Sequence, residues 1–369
     1  MENLQESITD RCYTHVIRLG VLLQAVVMSV LFGCSSSPSS PSSNGNSDQA
    51  IGLPEWKLVQ QELPSALLSV QVAWNGDIYA VGSDVEDGRG PYVLHFNGEQ
   101  WTRLETGVTG DLWWVHQVGL DDIWMSGANR LVLRYRPSTK TFTTVDVGQG
   151  SETLYGIWGL AADDMWSVGG KQCGVVLKNE GTEWTEMKLP DLEGAQCLPP
   201  LFKVWGLSEN EVWMVGERGV SLAFDGSNLN LQQTDTGRTL FTVHSDVKGD
   251  LIVAVGGQQS GEIRELIDGG WKNVTPERTR QVLGINVGAN GEAVAVGDRA
   301  STVRRGSDGW VVEKNGLDAV NDLSFHAVWT GPQGNAWAVG GQLLVGPFDR
   351  GMIAYYGVAT PPSEIVNGR

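Results

Sequence analysis

Histidine and cysteine are scarce in this chain, with five and four copies among 369 residues. That poverty argues against a metal centre, whose ligand set needs several such side chains close together. Basic residues are short as well: 26 Lys and Arg stand against 43 Asp and Glu, a net charge of −17. A surface of that sign repels phosphate backbones and offers no basic patch to an anionic leaflet, which argues against nucleic acid as a partner. No Gly-rich phosphate loop, G-x-S-x-G elbow or H-E-x-x-H pair occurs, so no nucleophile, general base or metal pair can be assigned. No segment within 54–357 keeps a helical period. The expectation is a protein without cofactor or metal and without a catalytic site.

What is plentiful is glycine and tryptophan, 48 and 15 residues, and both recur in a pattern. Heptapeptides of one type appear seven times: GDIYAVG (76–82), DDIWMSG (121–127), DDMWSVG (163–169), NEVWMVG (210–216), DLIVAVG (250–256), GEAVAVG (291–297) and GNAWAVG (334–340). Their closing glycines are spaced by 45, 42, 47, 40, 41 and 43 residues, a mean of 43. A period near forty, filled with short apolar runs, marks propeller blades rather than helical pairs. One repeat, 154–187, divides into four runs, a (LYGIWG), b (DMWSVGG), c (GVVLKN) and d (TEWTEM), separated by Gly, Asp and Asn. Asn-Gly and Asp-Gly pairs at several c-to-d turns are the usual signal of a tight hairpin. The chain is therefore expected to be all-β, a seven-bladed β-propeller of four-stranded antiparallel blades. Twelve of the 15 Trp fall at fixed places on strands a, b and d, as residues wedged between blades would.

The seventh repeat lacks a Trp-containing d strand, while PEWKLVQQ (54–61) precedes the first a strand. The N-terminal strand is thus expected to complete the C-terminal blade and so remove the free sheet edges. That places the propeller at 54–358 and leaves 359–369 as a C-terminal tail.

Residues 1–53 lie outside the ring. Gly20–Gly33 is an apolar run of 14 residues after Arg18, too short to span a bilayer and suited to a signal-peptide core. It ends in Leu31-Phe32-Gly33-Cys34, which resembles the bacterial lipobox. That resemblance implies removal of residues 1–33 and lipid on Cys34; by likeness to other lipoproteins, Ser35 implies the outer membrane. Residues 34–53 are a Ser/Pro-rich tether without means to build a core, reaching about 25 Å as a flexible chain. After cleavage, 24 basic residues face 40 acidic ones, net −16, which favours a soluble monomer. Cys12 is discarded and Cys34 lies under lipid, leaving Cys173 and Cys197. An exported compartment permits a disulfide. In an a-b-c-d blade the b-to-c turn holding Cys173 and the d-to-a loop holding Cys197 share one face, so the two are expected to bond.

Three departures from the repeat mark candidate ligand residues. In the position after the strand-a aliphatic, His116 stands where other blades have Gln71, Trp158, Trp205, His244, Asn286 and Trp329. Trp114 occupies a slot held elsewhere by Ser69, Gly156, Lys203, Thr242, Gly284 and Ala327, and is either a local plug or a stacking platform. Two b-to-c loops are long, 83–91 and 341–351, on blades adjacent in the closed ring. They are expected to bring Asp84, Glu86, Asp87, Arg89, Phe348, Asp349 and Arg350 together, as solvated loops or as a recognition patch. The spacing of Asp84, Glu86 and Asp87 matches no standard calcium loop.

Taken together, the lipobox, the tether and the tandem D-x-W-x-V-G repeats resemble the large group of bacterial, myxobacterial-type propeller lipoproteins. The resemblance implies a fold and an address in the cell envelope, not a reaction. The reading that follows is a membrane-anchored recognition or scaffold module, binding a protein or glycan through loops on one face. Two alternatives compete with it. An outer-membrane assembly factor is one, although the propellers of that kind have eight blades of a different repeat. The other is a glycan-active hydrolase or lyase, which needs converging carboxylates or a Tyr or His base at the channel mouth.

Overall fold

The structure, a computed structural model, describes residues 52–181, 183–344 and 346–366. The signal peptide, Cys34 and nearly all of the tether fall outside these residues. Among the described residues no helix is long and apolar enough to cross a membrane.

Seven sheets follow one another along the chain. Their innermost a strands are Leu67–Val72, Leu112–Gln117, Thr153–Ala161, Leu201–Ser208, Leu240–Ser245, Val282–Val287 and Ser324–Thr330. Each is paired antiparallel with the b strand that carries the heptapeptide glycine, as in Leu112↔Gly127 and Phe325↔Gly340. Closure is through the N-terminus: Glu55–Leu63 pairs antiparallel with Gly351–Gly357, from Glu55↔Gly357 to Leu63↔Gly351, with register shifts after Leu58 and after Gln60. The tail adds something the sequence did not suggest. Ile365–Val366 lies parallel to Trp101–Leu104, and Glu364 O accepts a 3.0 Å bond from Trp101 N, so blade 1 gains a fifth strand on its outer edge.

The recurring glycine has a steric cause. A Cβ on Gly82, Gly127, Gly169, Gly216, Gly256, Gly297 or Gly340 would lie 2.0–2.3 Å from the carbonyl oxygen of the residue preceding its cross-strand partner. At Gly127 φ is −165°, extended backbone open to any residue, so side-chain volume and not backbone freedom excludes other residues. The crowding accompanies a bulge. In every a strand the register slips by one residue beside this glycine, leaving Leu68, Trp113, Tyr155, Phe202, Phe241, Leu283 and His326 without a cross-strand partner. A bulge bends the strand and re-aims the extra side chain.

The core consists of wedges between neighbouring blades. Tyr79, Val81 and Val93 of blade 1 pack with Val115, Met125 and Leu133 of blade 2. At the closure seam Trp101 meets Trp337 edge-on at 5.7 Å and Phe96 at 4.9 Å. Trp101 and Trp166 are fully buried in such wedges.

Candidate binding face at the channel mouth

Each a strand starts from a d-to-a loop, so its bulge lies just inside the face that carries the d-to-a and b-to-c loops. The disulfide lies on this face as expected: Cys173 and Cys197 are bonded, with Cα atoms 5.6 Å apart. Four consecutive blades place an aromatic residue at the bulge. Trp113 meets Tyr155 edge-on at 4.9 Å, Tyr155 meets Phe202 at 5.1 Å, and Phe202 meets Phe241 at 5.6 Å. Trp113 also touches His326, at 5.8 Å, and Phe348 of the long blade-7 loop, at 5.7 Å. These rings are all half-buried and form a collar across the mouth. Phe348 is held there by its backbone, whose carbonyl accepts from Ala66 N at 3.0 Å and from Ser83 Oγ at 2.6 Å.

One residue deeper stands Trp114. It does not present a platform at the mouth: it packs against core residues, and Lys203 Nζ lies 3.0 Å from its ring centre. Lys203 is 3% exposed, and its Nζ donates to Tyr155 O at 3.4 Å. Burial holds its amine well below the usual lysine range. His326 binds Leu68 O through Nδ1 and is pushed down to about 4 by burial, helped by the nearby Lys203 charge.

His116 is placed toward the other end of its strand. It is buried, with Nε2 2.9 Å from Gly159 O, and burial lowers its pKa to about 4. Its ring faces Trp158 and Trp205, and Trp205 in turn stacks on His244 at 3.8 Å. His116 is thus a packed residue away from the loop face. The neutral imidazole that burial favours suits that role.

The two long loops lie side by side, as the Phe348 contacts with Ala66 and Ser83 require, but their charged groups turn apart. Asp84 accepts from Glu86 N and Gly110 N, both at 2.9 Å, and so organises its own loop. Asp87 is clasped by Arg103, at 2.5 and 3.1 Å, and by Arg89 at 2.8 Å; those guanidiniums hold its carboxyl far below the usual range. Arg350 pairs with Glu62 at 2.8 Å and Asp322 at 2.6 Å on the blade-7 side. Of the loop residues expected to cluster, Phe348 joins the collar, Glu86 stays exposed, and the others bond within their own loops or to neighbouring strands and loops of the same side. Among the described residues no three His, Cys, Asp or Glu side chains are grouped to hold a metal. The aromatic collar itself was missed because strand alternation points to Trp114 and not to its neighbour.

The opposite face, of a-to-b and c-to-d turns, holds a groove of about 350 Å³ at the seam between blades 1 and 7, lined by residues including Val72, Phe96, Trp329, Trp337 and Tyr355. Ala359 and Pro361 of the tail form part of its wall.

No protein-family model and no curated protein matches the sequence. Solved structures do. YCF48 from Cyanidioschyzon merolae is similar over 82% of this chain and 98% of its own, with TM-score 0.61 and 14% identity. The WD40 β-propeller domain of Doa1 is similar over 81% and 96%, with TM-score 0.59 and 12% identity. The extracellular domain of the putative hybrid two-component system BT3049 from B. thetaiotaomicron matches with TM-score 0.60 and 10% identity, and here the match covers 81% of this chain but 40% of that one. At these identities the likeness is one of fold.

Proposed function

We propose that the chain is a recognition module of the cell envelope, lipid-anchored through Cys34, that binds a segment of a partner protein on its loop face. The observation that carries this reading is the collar of Trp113, Tyr155, Phe202, Phe241, His326 and Phe348, half-buried at the centre of that face. Aromatic rings set on a rigid scaffold offer a large contact area with little conformational entropy to lose, which is the make-up of binding hot spots. The start of the first strand agrees with it: Glu55 pairs with Gly357 at the end of a c strand, so that strand begins on the a-to-b face, opposite the collar.

Photo-crosslinking from position 113 in intact cells tests the proposal. A defined protein should be captured, and Trp113→Ala should weaken its binding several-fold or more while the ring stays folded, since an aromatic contact is worth about 0.5–1.5 kcal/mol beyond its area. Capture at position 344 or 120 but not at 113 would remove the collar from the interface. A glycan retained by the collar would replace the protein partner.

A further inference from the structure

The face on which the first strand begins has an unexpected composition. Three of its a-to-b turns carry an exposed apolar residue, Trp74, Leu120 and Val247, at 67%, 81% and 65% exposed, and Leu160 near the end of the blade-3 a strand is also exposed. Leu53 and Val358 add two more, beside the point where the chain joins the ring. Soluble surfaces carry such residues singly; several on one face mark a contact.

In the Trp74 and Leu120 turns the acidic residues do not stand in front of the tips. Asp77 is drawn back onto His95 at 2.8 Å, Asp121 takes Ser138 N at 2.7 Å, and Asp122 is paired with Arg134. These two turns therefore lead with carbon, whereas Asp163 and Asp250 are exposed beside Leu160 and Val247.

We propose that this face docks on a lipid surface, with Trp74, Leu120, Leu160 and Val247 entering the interfacial layer. The proposal rests on the lipid-anchor reading for its occupant: about twenty residues separate Cys34 from the first strand, which begins at this face, and a Ser/Pro-rich chain of that length spans roughly 25 Å. A tryptophan beside aliphatic tips suits the headgroup boundary. The carboxylates behind the tips select neutral, zwitterionic lipid over an anionic leaflet. Docking would fix the ring with its collar facing outward.

The test uses the full lipidated chain in phosphatidylcholine vesicles. Lipid on Cys34 and the Cys173–Cys197 bond leave no other thiol in the mature chain, so Leu120→Cys and, on the far face, Leu344→Cys each take one environment-sensitive fluorophore. A lipid-borne quencher should quench the label at 120 several-fold more than the label at 344. Trp74→Ser with Val247→Ser should bring the two toward equality without releasing the chain from vesicles, and anionic lipid should reduce the difference. Equal quenching at both positions overturns docking, as does a label at 120 shielded only by a protein. The anchor is judged separately by flotation. If wild type does not float, the anchor reading falls, and quenching at 120 with vesicles in excess still decides docking.

Discussion

Lys203 is the residue on which local physics presses hardest. Other blades fill its slot with Ser, Gly, Thr, Ala or Trp, and the amine is buried against the Trp114 ring with one long bond to Tyr155 O and no carboxylate among its bonding partners. Desolvation lowers its pKa in the folded state, whereas the unfolded chain keeps the ordinary value near 10.4. Between those two values the unfolded state binds more protons, so stability contributed here rises as pH increases and is lost as pH falls. Lys203→Met keeps the length and removes the ionisable group. It should raise unfolding free energy at pH 7 by about 1–3 kcal/mol and flatten the rise between pH 7 and 9.5, as read from urea denaturation. A variant less stable than wild type across that range would mean that the amine's contacts with Trp114 and Tyr155 outweigh its burial.

At the scale of strands, closure and edge protection divide between the two ends of the chain. Glu55–Leu63 buries Trp56, Val59 and Leu63, each worth about 1.5–3 kcal/mol, a sum comparable with the net stability of a domain. Removing residues 52–63 should therefore expose a long strand edge and give aggregates on size exclusion. Ending the chain at Thr360 forfeits the pairs Ile365↔Trp101 and Val366↔Thr102, the bond from Trp101 N to Glu364 O and that from Gln60 Nε2 to Ser363 O, and should leave a folded monomer of slightly lower stability. If both truncations behave alike, the N-terminal strand is not the clasp. The clasp was legible in the sequence because PEWKLVQQ repeats the form of the d strands, and the blades were legible because glycine and tryptophan return every 43 residues on average. The disulfide followed from blade topology. The collar did not follow: period-two alternation assumes an unbroken ladder, and the bulge at Trp113, Tyr155, Phe202 and Phe241 shifts the outward side chain by one. Aligning the residue after Leu112, Leu154, Leu201 and Leu240 across repeats would have shown four aromatics in a row. Nor does loop proximity reveal which way a carboxylate turns; Asp87 goes to Arg103 because that guanidinium is nearly buried and lies nearer than blade 7. The tail strand is two residues long and follows Pro361-Pro362, too little for a period.

The whole ring has an acid sensitivity built into its axis. His116, His244 and His326 come from blades 2, 5 and 7, and burial lowers their pKa values to about 4, 3 and 4. Their ring nitrogens face neutral partners: Gly159 O, Val287 N with the Asn286 amide, and Leu68 O. Each is thus held neutral where the unfolded chain would charge at about 6.5. The sign follows from proton binding. Below pH 6.5 the unfolded state takes up protons that the folded state refuses, so stability present above pH 6.5 is lost as pH falls toward 4. One such histidine contributes a slope of about 1.4 kcal/mol per pH unit in the interior of that window. Carboxylates with lowered pKa, Asp87 and Glu62 among them, destabilise in the same direction at lower pH, so the total slope alone does not isolate the imidazoles. His244→Gln does, because it removes one titrating ring and leaves the carboxylates unchanged. It should be less stable at pH 7, having lost the stack on Trp205. Between pH 6 and 4.5 its stability should fall less steeply than wild type, by about 1.4 kcal/mol per unit. Parallel curves for the two proteins would show that His244 charges as readily in the ring as outside it.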